Sequence, residues 1–182
     1  HSDEIIFTKG ATEGFNFLAN SIVKKYLHPG DEILLTEIEH HANIIPWQMV
    51  AKQYQLEIKY ITINDDFSID MDDLKSKISS KTKIVSITGE SNLAGLLPDI
   101  IMIRNLVKEN SDAIFILDGA QLVPHRKVDV QDLGIDFIVF SGHKLLGPTG
   151  IGVVWGRLEL LNELDPVSGG GDMIEEVYYD RA

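Results

Sequence analysis

The sequence predicts an α/β fold, a mostly parallel central sheet flanked by helices. Short apolar runs alternate with helical periodicities almost from the first residue, the order in which parallel strands and crossover helices follow one another. At 182 residues, 44% hydrophobic and 24% charged, the chain has the length and composition of one soluble globular domain with a substantial core. No repeat, linker or low-complexity segment interrupts the pattern.

Taken in order, residues 5–8 form the first strand. After Gly10, the residues Phe15, Leu18, Ala19, Ile22, Val23, Tyr26 and Leu27 fall on one helical stripe, closed by the stop signal His28-Pro29-Gly30. Residues 32–35 make a strand. A helix starts at Pro46-Trp47 and runs to about Tyr54, and 58–63 is a strand followed by a turn-rich acidic stretch. Asp70 caps the short helix opened by Met71-Asp72-Asp73-Leu74, which leads into a strand at 84–88. Residues 99–110 are helical; 114–117, 137–140 and 152–155 are strands; a short helix at 157–161 and a loop at Gly169-Gly170-Gly171 follow. Both ends are abrupt, so the chain is expected to be a piece of something longer.

Charge and cysteine content narrow the function classes. With 28 acidic against 16 basic residues, a net charge of -12 and no basic run, the chain repels phosphate backbones and anionic bilayers, so nucleic acid and membrane are not expected partners. The absence of cysteine removes disulfides, thiolate metal sites and thiol nucleophiles, and is compatible with a reducing compartment. There is no long apolar run and no charged-then-apolar leader, and a cytoplasmic location is expected.

Four segments place polar residues just beyond the C-terminal ends of strands, where open sheets of this kind bind ligands. Thr8-Lys9-Gly10-Ala11-Thr12-Glu13-Gly14 is a strand, a glycine turn and a helix start: a phosphate site with the Thr12 hydroxyl as an extra donor, or simply a helix cap. It lacks the spacing of a Walker loop. Glu39-His40-His41-Ala42-Asn43 offers flat imidazoles for stacking, or only a turn with two surface histidines; adjacent histidines rarely converge on one metal ion. In Leu117-Asp118-Gly119-Ala120-Gln121, an acid directly after an apolar strand needs a cation or donors, although Asp-Gly is also a common turn pair. In the segment from Phe140 through Ser141, His143 and Lys144 to Gly150, the lysine is flanked by apolar residues that would lower its pKa and make it nucleophilic; a solvated loop lysine is the ordinary alternative.

Together the four supply what pyridoxal 5'-phosphate requires: an amine, an acid for the pyridine nitrogen and a phosphate cradle, in Lys144, Asp118 and the Thr12 turn. At this point the sequence resembles the cysteine desulfurases of the pyridoxal-phosphate-dependent class V aminotransferase group, in the branch shared with selenocysteine lyases. The resemblance runs from Ile5 to about Ile174. It is carried by Gly10-Ala11-Thr12-Glu13-Gly14, by the segment from Glu39 to Gln48, by Asp118-Gly119-Ala120-Gln121 and by the segment from Ser141 to Gly150.

The resemblance implies a fold type I large domain over 1–182, incomplete without a smaller C-terminal domain. It implies that Lys144 condenses with the cofactor aldehyde and moves protons at the substrate α carbon. Asp118 would pair with the pyridine nitrogen, Gln121 would donate to the phenolic oxygen, and His40 would stack on the ring and assist acid-base steps. Ala11, Thr12, Ser141 and His143 would hold the phosphate. Asn92, in Ser91-Asn92-Leu93-Ala94-Gly95, would lie near the phenolic oxygen and substrate, although the preceding Thr88-Gly89-Glu90 departs from the usual pattern. The family takes sulfur from L-cysteine onto an enzyme cysteine, leaving alanine, for iron-sulfur cluster assembly. That cysteine and the arginine gripping the substrate carboxylate belong to a later part of such chains, so these 182 residues alone are expected to be inactive. Relatives are homodimers that pass sulfur to an acceptor protein, and the loop Gly169-Gly170-Gly171-Asp172-Met173-Ile174 resembles one near the partner's site. Selenocysteine lyase or another class V activity, and a non-catalytic cofactor-binding domain, are the competing readings.

Overall fold

The computed structural model describes residues 1–93, 95–171, 176, 178 and 179. Seven strands form one sheet: β1 (Ile5–Thr8), β2 (Glu32–Thr36), β3 (Glu57–Ile61), β4 (Thr82–Thr88), β5 (Ile114–Asp118), β6 (Phe137–Ser141) and β7 (Gly152–Gly156). Their order across the sheet is β1-β7-β6-β5-β4-β2-β3. All neighbours are parallel except at β7, which runs antiparallel to both β1 and β6. The expected mostly parallel sheet is therefore present. The exception has a simple cause: the short segment between β6 and β7 lacks the dozen or more residues that a parallel crossover needs, so the chain turns back on itself. That return loop carries Lys144.

Helices cover both faces. On one side lie α1 (Ala11–Tyr26) and α2 (Ile45–Tyr54), packed on Ile33, Leu35, Ile84, Ile116, Val139 and Val154. On the other lie α3 (Met71–Lys77) and α4 (Ile100–Asn110), packed on Leu34, Val85, Ile87, Phe115, Leu117 and Ile138. Successive residues of one strand point to opposite faces, so Ile33 and Leu34, or Ile116 and Leu117, feed different cores. This is why the interior strands read as unbroken apolar runs. The apolar stripe of α1 is buried as its spacing predicts, with Phe15, Leu18, Ala19, Ile22 and Val23 inaccessible to solvent. Asp70 and Asp99 cap α3 and α4, accepting from backbone N–H groups of the first turns.

Several elements differ from the sequence expectation at their edges. The third strand stops at Ile61, and Ile63 instead bridges antiparallel to Ile69 across the turn at Asn64–Ser68. Short helical turns at Ser2–Glu4, His41–Asn43 and Gly142–Leu145, together with α5 (Leu122–His125), α6 (Val130–Leu133) and α7 (Leu158–Leu161), are too brief for helical periodicity to mark; only the last was expected. Residues 172–174 of the glycine loop lie outside the described residues.

Because β7 runs antiparallel to both β1 and β6, β1 ends at the same edge as β2, β4, β5 and β6. Gly152, the first residue of β7, pairs with Thr8 on one side and Ser141 on the other. A Cβ there would stand 2.5 Å from the Gly10 Cα, a backbone atom with nowhere to go. Gly10 itself has φ 156° and ψ 176°, a region open essentially to glycine alone. These two glycines let the turn before α1 close onto the end of β6. Gly152→Ala is expected to destabilise the fold by about 1–3 kcal/mol, the usual cost of overpacking, as a lowered midpoint in urea denaturation.

Candidate active site

The site grows out of the C-terminal edge of the sheet. Strand order reverses there, since β4, β5 and β6 proceed one way from β2 and β3. Open sheets form their ligand crevice at such a switch point. Of the four segments singled out from the sequence, all lie along this edge.

The turn before α1 meets the end of β6 directly: the Ala11 N–H donates to Ser141 Oγ at 2.8 Å, across 130 residues of sequence. The bond uses a Ser141 lone pair and leaves its hydroxyl proton free. Thr12 is exposed at the start of a 16-residue helix, where the first N–H groups have no intrahelical acceptor and the dipole end is positive. His143 is exposed and Lys144 half-buried in the single turn Gly142–Leu145 that follows.

Asp118 ends β5 and is only 4% exposed. Its Oδ1 accepts from the Ala120 N–H at 2.9 Å, and no cation lies within ion-pair distance among the described residues. Burial pushes its carboxyl above the ordinary value, and the Ala120 N–H and the charges of His40 and Lys144 pull partly against it. The structure thus brings Asp118, His40 and Lys144, separated by up to a hundred residues of chain, within electrostatic reach of one another. Gln121 sits half-buried at the start of α5, in position to share this edge. His40, itself exposed, opens the His41–Asn43 turn and accepts from the Ala42 N–H through Nδ1 at 3.1 Å. Asn92 joins it in the lining of a cavity of about 320 Å³ together with Glu37, Ile44 and Leu93.

Two acids that sequence reasoning gave no role also belong here. Glu39, wholly buried, has its carboxyl pushed up to about 8, chiefly by burial; hydrogen bonds from Thr36, Asn43 and the Thr88 N–H act the other way, and the nearby Asp118 adds to the rise. Glu90 meets His125 Nδ1 through Oε1 at 2.9 Å, while its Oε2 is buried with no partner. The signal for Glu39 was the same as for Asp118, an acid just past an apolar strand, but the adjacent histidines drew the functional reading.

The buried acids sort by edge. Glu32, at the start of β2, is paired with Lys59 at 2.6 Å and receives Ser79 and Thr82 hydroxyls; burial works against ionisation, yet these partners hold its carboxyl below the ordinary value. Asp136, before β6, is 2% exposed and clamped by Lys108 at 3.1 Å and Arg157 at 3.0 Å. At the opposite edge Asp118 and Glu39 have no such cation. Glu39 is satisfied instead by hydrogen bonds from Thr36, Asn43 and the Thr88 N–H, whereas Asp118 has the Ala120 N–H, and a buried carboxyl left that way is costly unless a ligand supplies the missing charge or donor.

The residues present therefore fit pyridoxal 5'-phosphate: a cradle of glycine turn, helix start and serine hydroxyl, a buried acid wanting a cationic N–H, and a half-buried lysine close to both. Comparison with known proteins agrees. The whole chain, residues 1–182, matches the model of the family described as Aminotransferase class-V. It is 47% identical over 175 residues to a probable cysteine desulfurase of Staphylococcus epidermidis, covering 96% of this chain and 42% of that protein. A cysteine desulfurase of Serratia proteamaculans is 46% identical over 176 residues, covering 97% and 43%. The crystal structure of the cysteine desulfurase CsdA from Escherichia coli superposes with a TM-score of 0.95 at 40% identity, over 100% of this chain and 45% of that one. The chain thus spans less than half the length of the relatives it matches.

The two raised carboxyls have a consequence for stability. A group whose pKa is higher in the folded state stabilises the fold below its unfolded value, and that contribution is lost as pH rises through the folded one. For Glu39 the window runs from about 4.5 to about 8, and Asp118 acts in the same direction. Glu32 and Asp73, whose carboxyls are lowered, act below that window, losing their contribution as pH falls. The urea midpoint is expected to drift downward from pH 5 to pH 8 and to lose part of that slope in Glu39→Gln; a profile that rises over this range contradicts the assignment.

Proposed function

The chain belongs to the class V aminotransferase family, and from that membership we propose that its C-terminal-edge crevice holds pyridoxal 5'-phosphate as part of a cysteine desulfurase. Enzymes of this family depend on that cofactor. The observation that carries the proposal is the convergence of Asp118, Lys144 and the Ala11–Ser141 contact on one edge of one sheet. The desulfurase relatives of similar sequence support the choice of reaction.

When bound, the cofactor offers an aldehyde for an amine and an electron-withdrawing ring that makes bonds to a substrate α carbon easier to break. The protein groups each have a task. Lys144 Nζ would supply the amine that holds the cofactor and would move the proton at the substrate α carbon. Its half-buried position beside a buried acid keeps it close without solvating it fully. Asp118 would hold a proton on the ring nitrogen, which would also relieve the cost of its own burial. Ser141 would offer its free hydroxyl proton to the phosphate, with the Ala11 N–H fixing its oxygen, so Ala11 would act through Ser141. Thr12 contributes its hydroxyl and the N–H groups of the helix start, with His143 beside them. His40 would stack on the ring, and Gln121 and Asn92 would serve the phenolic oxygen and the substrate.

In the overall reaction the carbon–sulfur bond of L-cysteine breaks. Its sulfur joins a thiol as a persulfide, and alanine leaves with the thiol proton. This chain contains no cysteine, so the accepting thiol is not among these residues. We place the enzyme, by the same resemblance, as a cytoplasmic homodimer feeding a sulfur-acceptor protein for iron-sulfur cluster assembly, with these residues as its large domain. No helix of the described residues is long and apolar enough to cross a membrane.

Protein incubated with pyridoxal 5'-phosphate is expected to turn yellow. Lys144→Ala is expected to abolish the band while leaving the fold intact by circular dichroism; an unchanged spectrum removes Lys144 from this role. In the full-length enzyme, Asp118→Asn is expected to lower alanine release from cysteine by about 10²-fold or more. Faster release from selenocysteine than from cysteine overturns the substrate assignment while leaving the cofactor site standing.

A further inference from the structure

The strands on either side of the switch point are not hydrogen-bonded to each other along their whole length. β2 pairs with β4 only as far as Leu34 and Val85. Beyond that point β2 continues alongside β3 to Thr36 and Ile61, and β4 alongside β5 to Thr88 and Asp118. The sheet splits at its C-terminal edge, and the backbone groups facing the split need other partners.

Two side chains fill it. Glu39 Oε1 receives the Thr36 hydroxyl at 2.5 Å and the Thr88 N–H at 2.8 Å. Its Oε2 receives Asn43 Nδ2 at 2.7 Å. Asn43 Oδ1 in turn accepts from the Ser86 hydroxyl at 2.6 Å and from Trp47 Nε1 at 3.0 Å. Glu39, Asn43, Thr36, Ser86, Trp47 and Thr88 are all buried. The network ties β2, the His41–Asn43 turn, α2 and β4 together, and Thr88 is the register partner of Asp118. His40 is the next residue after Glu39.

We propose that Glu39 is a positioning residue of the cofactor crevice, a side-chain rung that replaces the missing β2–β4 hydrogen bonds and so fixes the His40 turn against Asp118. Its role as stated presupposes the cofactor reading above. The donor pattern makes the requirement specific. Both carboxyl oxygens accept, one from Thr88 and one from Asn43, and when the group is protonated its O–H can be given to the Thr36 hydroxyl without losing either bond. An amide in this place turns an N–H₂ group toward one of those donors. Asn43 cannot reverse to relieve it, because its oxygen is held by the Trp47 indole N–H, which can only donate. Glu39→Gln therefore breaks the rung despite its matching shape. Combining it with Asn43→Asp restores every bond: the introduced carboxylate accepts from Trp47, Ser86 and the introduced amide, whose oxygen then accepts from Thr88.

The test uses the intact protein and two readouts, backbone hydrogen exchange at Thr88 without cofactor, and the dissociation constant for pyridoxal 5'-phosphate by equilibrium dialysis. Glu39→Gln is expected to speed Thr88 exchange and weaken cofactor binding, each by about tenfold or more, the effect of stranding a buried donor. The double variant is expected to recover both to near the parent values. If Glu39→Gln does not fold, recovery of folding and binding in the double variant supports the rung, and failure of the double variant overturns it. Binding that stays at the parent value in Glu39→Gln overturns the positioning role and leaves the cofactor site intact. A parent protein that does not bind the cofactor at all overturns both.

Discussion

Two carboxyl groups buried without cations, Asp118 and Glu39, set the character of one edge of this sheet. An acid removed from water must be neutralised, paired or richly hydrogen-bonded, and a fold keeps one unsatisfied only where something else will complete it. At the opposite edge the rule is obeyed within the chain, by Lys59 on Glu32 and by Lys108 and Arg157 on Asp136. The polarity of the sheet is thus chemical as well as geometric. One edge is closed by internal ion pairs; at the other, Glu39 is satisfied by hydrogen bonds and Asp118 keeps capacity for a further donor.

The topology decides which residues share that open edge. Parallel strands deliver the ends of β2, β4, β5 and β6 to one side, and β7, antiparallel to both β6 and β1, brings the end of β1 to the same side. The phosphate turn and the lysine turn, at opposite ends of the sequence, become neighbours because Gly152 lies between Thr8 and Ser141 and brings no side chain with it. The short connection that forces β7 to run backward is also the loop that raises Lys144 over the strand ends. A longer connection would have permitted a crossover helix and carried the lysine elsewhere.

The split between β2 and β4 adds a second constraint. A continuous ladder would have closed the crevice at the switch point, whereas an empty gap would have left buried N–H and hydroxyl groups unpaired. Side chains from a single five-residue segment resolve this, with Glu39 and Asn43 spanning the gap and His40 between them turned outward. The same segment therefore bridges the split and carries an exposed imidazole beside it.

Much of this was determined by the sequence alone. The alternation of apolar runs and helical stripes set the α/β class. Burial of whole strands made them legible as unbroken runs, and the acids and lysine placed after strand ends pointed to a candidate site at one edge, because local pattern records which face or end of an element meets solvent. Three features only the tertiary structure decided: the reversed direction of β7, the cation-free burial that separates Asp118 from Asp136, and the bridging role of Glu39. Each depends on contacts between residues tens to more than a hundred positions apart. A carboxylate beside a lysine partner and one buried without a cation have the same spelling in sequence; only the packing of distant strands says which neighbour each one finds.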